Sequence, residues 1–230
     1  MSFEANAGRS GQTILKAKAE GRAALVGYLP VGYPDVDASI AAMVAMVEAV
    51  AEAGATPLCM TYWNLVDRYG VDAFARDFAN AGGAGLITPD LTPDEAEEWM
   101  IASEAHDLDR IFLVSPSSTD ERIISTTRAC RGWVYATAVM GVTGARQQTS
   151  SQAPALVARL RELAPDTLVG VGLGVSNGAQ AAEVGSFADA VIVGSALIKP
   201  MLAAEDAGTP SDVSGLRAVV TDLAAGVRGA

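Results

Sequence analysis

Residues 169–177 read VGVGLGVSN, and residues 188–201 read ADAVIVGSALIKPM. Each stretch is an apolar, β-branched run that ends in glycine and a hydroxyl residue, which is typical of a buried strand and its end. In α/β barrels, the loops after the last two strands and the N-terminus of a short extra helix commonly hold a phosphate group. The pattern favours a phosphate site here, with the short helix beginning at residues 194–197, GSAL.

The same glycines have a simpler explanation, because glycine also allows tight turns between a strand and a helix. A dinucleotide-binding fold is disfavoured. Gly170, Gly172 and Gly174 follow a G-x-G-x-G spacing, and Val175 stands where the third glycine of the dinucleotide fingerprint belongs.

Composition sets the class of protein. The 230 residues, half of them hydrophobic, predict a single domain covering residues 1–230. A formal net charge of −11 opposes binding to nucleic acid or to an anionic membrane surface. Cys59 and Cys130 have no metal-ligand spacing, and the N-terminal residues contain no apolar leader. We therefore expect a cytoplasmic protein with reduced thiols, no bound metal and no membrane segment.

Seven short apolar runs predict strands, and amphipathic helical patterns lie between them. A continuous apolar strand followed by a helix is typical of a parallel sheet that is buried on both faces. The runs lie at residues 23–30, 56–63, 84–90, 110–117, 132–139, 168–174 and 190–196.

Polar residues and glycines follow almost every predicted strand, which favours an α/β barrel of the TIM type over an open doubly wound sheet. A complete barrel has eight strands, whereas seven are detected. The gap follows the first strand, where a helical pattern runs through residues 37–54 without interruption. We expect the first two predicted strands to close the gap by pairing directly, since unpaired strand edges are unfavourable.

Six blocks, in order, resemble the alpha subunit of tryptophan synthase, particularly the actinobacterial type. The resemblance covers nearly the whole chain. The blocks are GYLPVGYPD, MTYWNLVDRYGVDAF, AGGAGLITPDLTPDEAEEW, VYATAVMGVTGARQQ, VGVGLGVSNGAQAAEV and ADAVIVGSALIK. The family is a (β/α)8 barrel without a cofactor. It cleaves indole-3-glycerol phosphate to indole and glyceraldehyde 3-phosphate by a retro-aldol reaction, in tryptophan biosynthesis. It passes the indole to a pyridoxal-phosphate-dependent beta subunit.

The resemblance implies a set of substrate-binding residues. Thr143 belongs to the mobile loop after the sixth strand of the family, and the tyrosines match positions that line the indole pocket. The residues implied to contact the phosphate are Gly144, Gly172, Gly174, Gly194 and Ser195, and the tyrosines are Tyr28, Tyr62 and Tyr135.

One family block is missing. The catalytic Glu and Asp of the family belong to a segment that reads like EVGxPxSDPxxDG, which should fall between Val47 and Ala53 and does not occur. Glu48 and Glu52, on the uninterrupted helix, are more simply solvated surface charges. The candidate catalytic residues that remain are Asp90, at the end of a predicted strand, and Tyr135. A helix cap is the alternative role for Asp90.

Two functions from different classes remain open. The first is an alpha-type lyase with an intact phosphate site and absent or displaced acid–base groups. The second is a non-catalytic protein that binds a phosphorylated ligand or modulates a beta-type partner, whose contact surface is reduced by the missing loop. A third possibility is that the natural protein contains a segment that this sequence lacks, which would restore the first function.

Overall fold

The computed structural model describes residues 7–28, 55–137, 152–172, 174–209 and 212–229. The strands within these ranges are β1 (Ala24–Gly27), β2 (Leu58–Met60), β3 (Gly85–Ile87), β4 (Asp109–Ile111), β5 (Leu113–Val114), β6 (Val134–Thr137), β7 (Val169–Gly172) and β8 (Ala190–Val193). The α-helices are α1 (Gly8–Ala19), α2 (Trp63–Tyr69), α3 (Val71–Asn80), α4 (Glu97–Ala105), α5 (Asp120–Ala129), α6 (Gln152–Leu163), α7 (Gly178–Gly185), α8 (Ser195–Asp206) and α9 (Ser214–Arg228). The helix predicted over residues 37–54 lies outside the described residues.

All the strand pairs are parallel, as predicted. One sheet has the order β1-β8-β7-β6-β5, and the other has the order β2-β3-β4. Only Phe112 separates β4 from β5, so the two are one stretch of chain that pairs first with β3 and then with β6. The eight segments therefore correspond to the seven predicted strands, and their order follows the wall of a barrel from β2 round to β1.

The predicted direct pairing of the first two strands is wrong for the described residues. β1 pairs with β8 alone, in a register that runs from Ala24 opposite Ala190 to Gly27 opposite Val193. β2 pairs with β3 alone. Each strand therefore has one edge without a partner among the described residues. The strand order places these two strands at opposite ends of the series, and the cost of an open edge does not by itself bring those ends together.

The barrel interior is a hydrophobic cluster to which every described strand except β7 contributes. Trp133, just before β6, is its largest buried member, with 1% of its surface exposed. Ile14 and Ala17 of α1 close the cluster at the end where the strands begin. The strand residues of the cluster are Ala24, Val26, Leu58, Ile87, Ile111, Leu113, Tyr135, Ala190 and Ile192.

A second, larger cluster fills the layer between the strands and the surrounding helices. Helix α3 shows why the helices lie where they do, because its buried residues Val71, Phe74, Ala75 and Phe78 follow the spacing of one helical face. Phe74 and Phe78 stack with their ring centroids 5.6 Å apart. None of the helices in the described part of the chain is long and apolar enough to cross a bilayer.

Helix α1 is fixed to the barrel by a buried carboxylate. Asp109, at the start of β4, is fully buried and accepts hydrogen bonds from the backbone N–H groups of Arg9 (3.1 Å) and Ser10 (2.6 Å). At the other end of the helix, Lys18 Nζ lies 2.9 Å from the buried carboxylate of Asp189, just before β8. The helix therefore spans the bottom of the barrel between two well-separated strands.

Candidate functional site

The carboxyl ends of β7 and β8 lie side by side, because Gly172 is opposite Ile192 in their parallel register. Gly194 follows β8 directly and is the N-cap of α8, which begins at Ser195. Gly174, two residues after β7, has a φ of +79°, a left-handed conformation that strongly favours glycine. The predicted phosphate residues Gly172, Gly174, Gly194 and Ser195 therefore lie together at the end of the barrel where the strands finish.

The N-terminus of α8 is open. Its N-cap makes no side-chain hydrogen bond, and its first turn contains no acidic residue. The neighbouring helix α7 differs, because Asn177 accepts from the N–H of Gln180 (3.0 Å) and Asp222 accepts from the N–H of Gly178 (2.6 Å). Among the described residues, no side chain caps the start of α8, where the helix dipole favours an anion.

The glycines of β7 and β8 also make room for aromatic side chains. A Cβ atom on Gly172 would overlap the hydroxyl of Tyr135, and a Cβ atom on Gly194 would overlap the ring of Tyr28. Tyr135 stacks on Trp133 with ring centroids 6.0 Å apart. Two of the three predicted tyrosines therefore meet beside the strand ends, against the apolar interior.

Burial determines the chemistry of Tyr135. Loss of solvent, with a smaller contribution from neighbouring Tyr28, raises the pKa of Tyr135 to about 12. The hydroxyl is therefore neutral at physiological pH. It can donate a hydrogen bond to a substrate, but it is not a ready base.

Tyr62 and Asp90 lie apart from this pair. Tyr62 is 64% exposed and is the N-cap of α2. Asp90 is exposed, three residues after the end of β3, and both of its carboxylate oxygens accept from the N–H of Trp63, at 3.0 and 3.1 Å. Asp90 therefore caps α2, a helix that begins 27 residues earlier in the chain, and not the helical turn that follows it. Thr92, whose hydroxyl donates to Glu95 at 3.0 Å, occupies the N-cap of the next helical turn.

Other predicted positions are quickly placed. Thr143 and Gly144 lie outside the described residues, as do Glu48 and Glu52. Within the described ranges, no group of three or more His, Cys, Asp or Glu side chains could hold a metal ion.

Both cysteines are at least partly buried, as expected of core thiols. Burial raises the pKa of Cys59 to about 11 and that of Cys130 to about 12. Neither thiol is therefore a ready nucleophile at neutral pH.

Sequence reasoning missed Trp133 and Gly170. A Cβ atom on Gly170 would lie 2.5 Å from the Trp133 ring, so this glycine admits the indole of Trp133 into the barrel. The available signal was the spacing of Trp133 and Tyr135, which are two residues apart in the predicted strand run 132–139 and hence on one face. The two form an aromatic wall next to the predicted phosphate residues Gly172 and Gly194.

A parallel sheet whose strand order follows a barrel wall defines the class of α/β barrels, in which a helix N-terminus beside the last two strand ends commonly holds phosphate. Comparison with known proteins identifies the family within this class. Residues 38–227 match the family model described as tryptophan synthase alpha chain, and the chain belongs to this family.

Curated relatives and a solved structure agree. The chain is similar to the tryptophan synthase alpha chain of Mycobacteroides abscessus, with 48% identity over 265 residues covering 96% of this chain and 98% of the relative. The relative from Salinispora arenicola is 52% identical over 257 residues, covering 93% of this chain and 95% of the relative. A structure of Mycobacterium tuberculosis tryptophan synthase superimposes with a TM-score of 0.83 and 48% identity, covering 96% of this chain and 99% of that one.

These alignments are longer than the chain itself. Alignments of 257 and 265 positions exceed the 230 residues of the sequence, so the relatives contain residues that have no counterpart here. This agrees with the detection of seven strands in the sequence, one fewer than in a complete barrel.

Proposed function

We propose that this chain is an alpha-type lyase by descent that binds indole-3-glycerol phosphate through its phosphate group and cleaves it to indole and glyceraldehyde 3-phosphate slowly. The observation that carries the binding part is the uncapped N-terminus of α8 at the end of β8, next to Gly172 and Gly174. Backbone donors suit an anion here, because a chain with a net charge of −11 repels anions at long range and must hold them locally.

The substrate orientation follows from the neighbouring side chains. With its phosphate at Gly194 and Ser195, the substrate would extend its indole ring toward Tyr28, Tyr135 and the apolar interior. A neutral Tyr135 hydroxyl would hydrogen-bond to the substrate rather than remove a proton. Thr143 and Gly144 would complete the site from the loop after β6, as the resemblance implies.

The retro-aldol step needs two proton transfers. The bond between indole C3 and the glycerol carbon breaks, the glycerol hydroxyl loses a proton as it becomes the aldehyde, and C3 of the indole gains one. Asp90 is the one carboxylate found within three residues after any described strand, and it is engaged as the cap of α2. The site therefore supports binding better than proton transfer.

This engagement of Asp90 also favours a second function. A chain that binds the phosphorylated substrate without turning it over would act as a binding protein that modulates a beta-type partner. A beta subunit is the partner that membership of this family implies. Its contact surface would be smaller than in the relatives if the missing residues belong to it. The cytoplasm is the location proposed for either function.

Calorimetric titration with glycerol 3-phosphate tests the phosphate site. Ser195→Asp places a carboxylate at the first position of α8, where it is compatible with the helix dipole and competes with the anion. The matched control is Ser195→Asn, which is similar in size and uncharged. We expect Ser195→Asp to weaken binding by at least about tenfold, because two like charges a few ångströms apart repel strongly near a protein surface. The control should stay close to the wild type.

Ser195→Asp is a cleaner variant than Gly172→Asp. A side chain at residue 172 would also displace Tyr135, so a loss of binding would have two explanations. Equal affinity of the wild type and the Ser195→Asp variant would reject a phosphate site at α8.

A further inference from the structure

The end of β1 lies against the start of α8. The backbone N–H of Tyr28 donates to the carbonyl oxygen of Val193 at 2.9 Å, so the pairing of β1 with β8 continues one residue past β1. Beside it, a Cβ atom built on Gly27 would lie 3.0 Å from Leu197 Cδ1, in the first turn of α8. The strand pairing and this packing together hold Tyr28 beside Gly194, the N-cap of α8.

The side chain of Tyr28 reaches the N-cap with its polar end. The atoms that a Cβ on Gly194 would overlap are Cζ, Cε1 and the hydroxyl oxygen of Tyr28, which form the outer end of the ring. The hydroxyl therefore lies at the end of α8 where the first backbone N–H groups have no acceptor within the helix. The helix dipole favours an anion at this same end.

The hydroxyl of Tyr28 has no hydrogen-bond partner in the described part of the chain. Of the tyrosine side chains described there, Tyr69 alone makes a hydrogen bond, which it donates to Asp77 at 2.9 Å. The ring of Tyr28 packs against the hydrophobic cluster of the barrel interior. A tyrosine in such a setting usually finds a partner for its hydroxyl. Tyr28 is therefore a donor that the described residues leave without an acceptor.

We propose that the Tyr28 hydroxyl donates a hydrogen bond to the phosphate group of the substrate at the start of α8. The inference rests on the proposed phosphate site, and it adds a side-chain donor to the backbone N–H groups of Gly194 and Ser195. A hydrogen bond to a charged acceptor is stronger than one between neutral groups. Because the ring of the same residue borders the apolar interior, Tyr28 would contact both ends of the substrate and fix the distance between them.

Calorimetric titration with glycerol 3-phosphate tests the donor. Tyr28→Phe keeps the ring and removes only the hydroxyl, and we expect it to bind at least about tenfold more weakly than the wild type. The matched control is Tyr69→Phe, which removes a tyrosine hydroxyl from an exposed position at the end of α2. The control should bind like the wild type.

The ring of Tyr28 could instead cover the anion site, and a second variant distinguishes the two roles. A donor role predicts that Tyr28→Ala also binds more weakly, because it lacks the hydroxyl. A covering role predicts unchanged binding by Tyr28→Phe and tighter binding by Tyr28→Ala, and this result would overturn the proposal. Should Tyr28→Ala fail to fold, the comparison of Tyr28→Phe with the wild type still decides.

Urea midpoints separate a donor from a packing residue. We expect the midpoint of Tyr28→Phe to equal that of the wild type, since its ring keeps the same apolar contacts. A loss of affinity that occurs only together with a lower midpoint would assign a packing role to the hydroxyl and overturn the proposal. Equal affinity of Tyr28→Phe and the wild type would overturn it while leaving the phosphate site intact. A wild type that does not bind glycerol 3-phosphate would reject the phosphate site itself.

Discussion

Substitution of Gly170 by alanine should destabilise the barrel, because the added methyl group would overlap the ring of Trp133 in the aromatic wall formed by Trp133 and Tyr135. The added Cβ atom would lie 2.5 and 2.7 Å from two atoms of the Trp133 ring and 3.3 Å from Ile192 Cδ1. These distances are up to about 1 Å shorter than an ordinary carbon–carbon contact of about 3.5 Å. Trp133 is 1% exposed and cannot turn outward. Overpacking of this kind costs about 1–3 kcal/mol of the free energy of unfolding.

A double-mutant cycle separates the Trp133 contact from other effects of the methyl group. Trp133→Phe removes the ring atoms that the new Cβ would overlap. We expect Gly170→Ala to cost about 0.5 kcal/mol or more less in the Trp133→Phe background than in the wild type. Urea unfolding followed by far-ultraviolet circular dichroism measures all four proteins without relying on tryptophan fluorescence. Gly229→Ala is the matched control, because its nearest contacts are 3.8 Å away.

Additive free energies in this cycle, or a Gly170→Ala protein as stable as the wild type, would refute the packing argument. The same variant should also weaken binding of glycerol 3-phosphate, because Trp133 supports Tyr135 and Tyr135 lies against Gly172. An unstable variant with unchanged phosphate affinity would show that the aromatic wall and the anion site are independent.

Further predictions concern activity and pH. The purified chain should release indole from indole-3-glycerol phosphate at least about 10³-fold more slowly than a relative with both family carboxylates, since general acid–base groups contribute about 10²–10⁴-fold each and their losses need not add. Adding a beta subunit should not restore the rate. If indole nevertheless appears at a normal rate, the Asp90→Asn variant should be tested next. Loss of activity in this variant would show that Asp90 replaces a missing family carboxylate, and unchanged activity would contradict the argument that the missing carboxylates limit the rate. Burial raises the pKa of Asp109 above its ordinary value, with hydrogen bonds from Ser10 opposing the shift. The folded state therefore keeps this proton to higher pH than the unfolded state, and the stability contributed by Asp109 falls as pH rises from about 4 through the folded pKa. Urea midpoints at several pH values should show the advantage of the wild type over Asp109→Asn shrinking as pH rises, and a growing advantage would mean that the pKa is lowered instead.

The sequence predicted the strands well because parallel strands buried on both faces are continuous apolar runs. Every predicted run contains a described strand, although residues 110–117 divide at Phe112, where the pairing passes from β3 to β6. Helix α2 was not predicted, because its first residue, Trp63, is also the last residue of the apolar run at residues 56–63. Its start depends on Asp90, 27 residues away in sequence, which no local pattern reveals.

Only part of the candidate site was predicted, because the sequence shows where strands end but not which strands are neighbours. The glycines of β7 and β8 were recognised from their position at strand ends. Their second role, making room for the rings of Trp133, Tyr135 and Tyr28, requires knowledge of which strands are neighbours. Direct pairing of β1 with β2 was expected from the cost of open edges alone. The strand order instead places these two strands at opposite ends of the series.

The helix across the bottom of the barrel has a consequence for the order of synthesis. Residues 8–19 leave the ribosome before their anchors Asp109 and Asp189, which lie 100 and 171 residues further along in the two contacts observed. Helix α1 must therefore wait, without its final partners, until both anchors have been synthesised. Contacts so distant in sequence slow folding, because a long loop must be closed before they form. Until then, the nascent chain would expose Ile14 and Ala17, the residues of this helix that pack into the barrel interior.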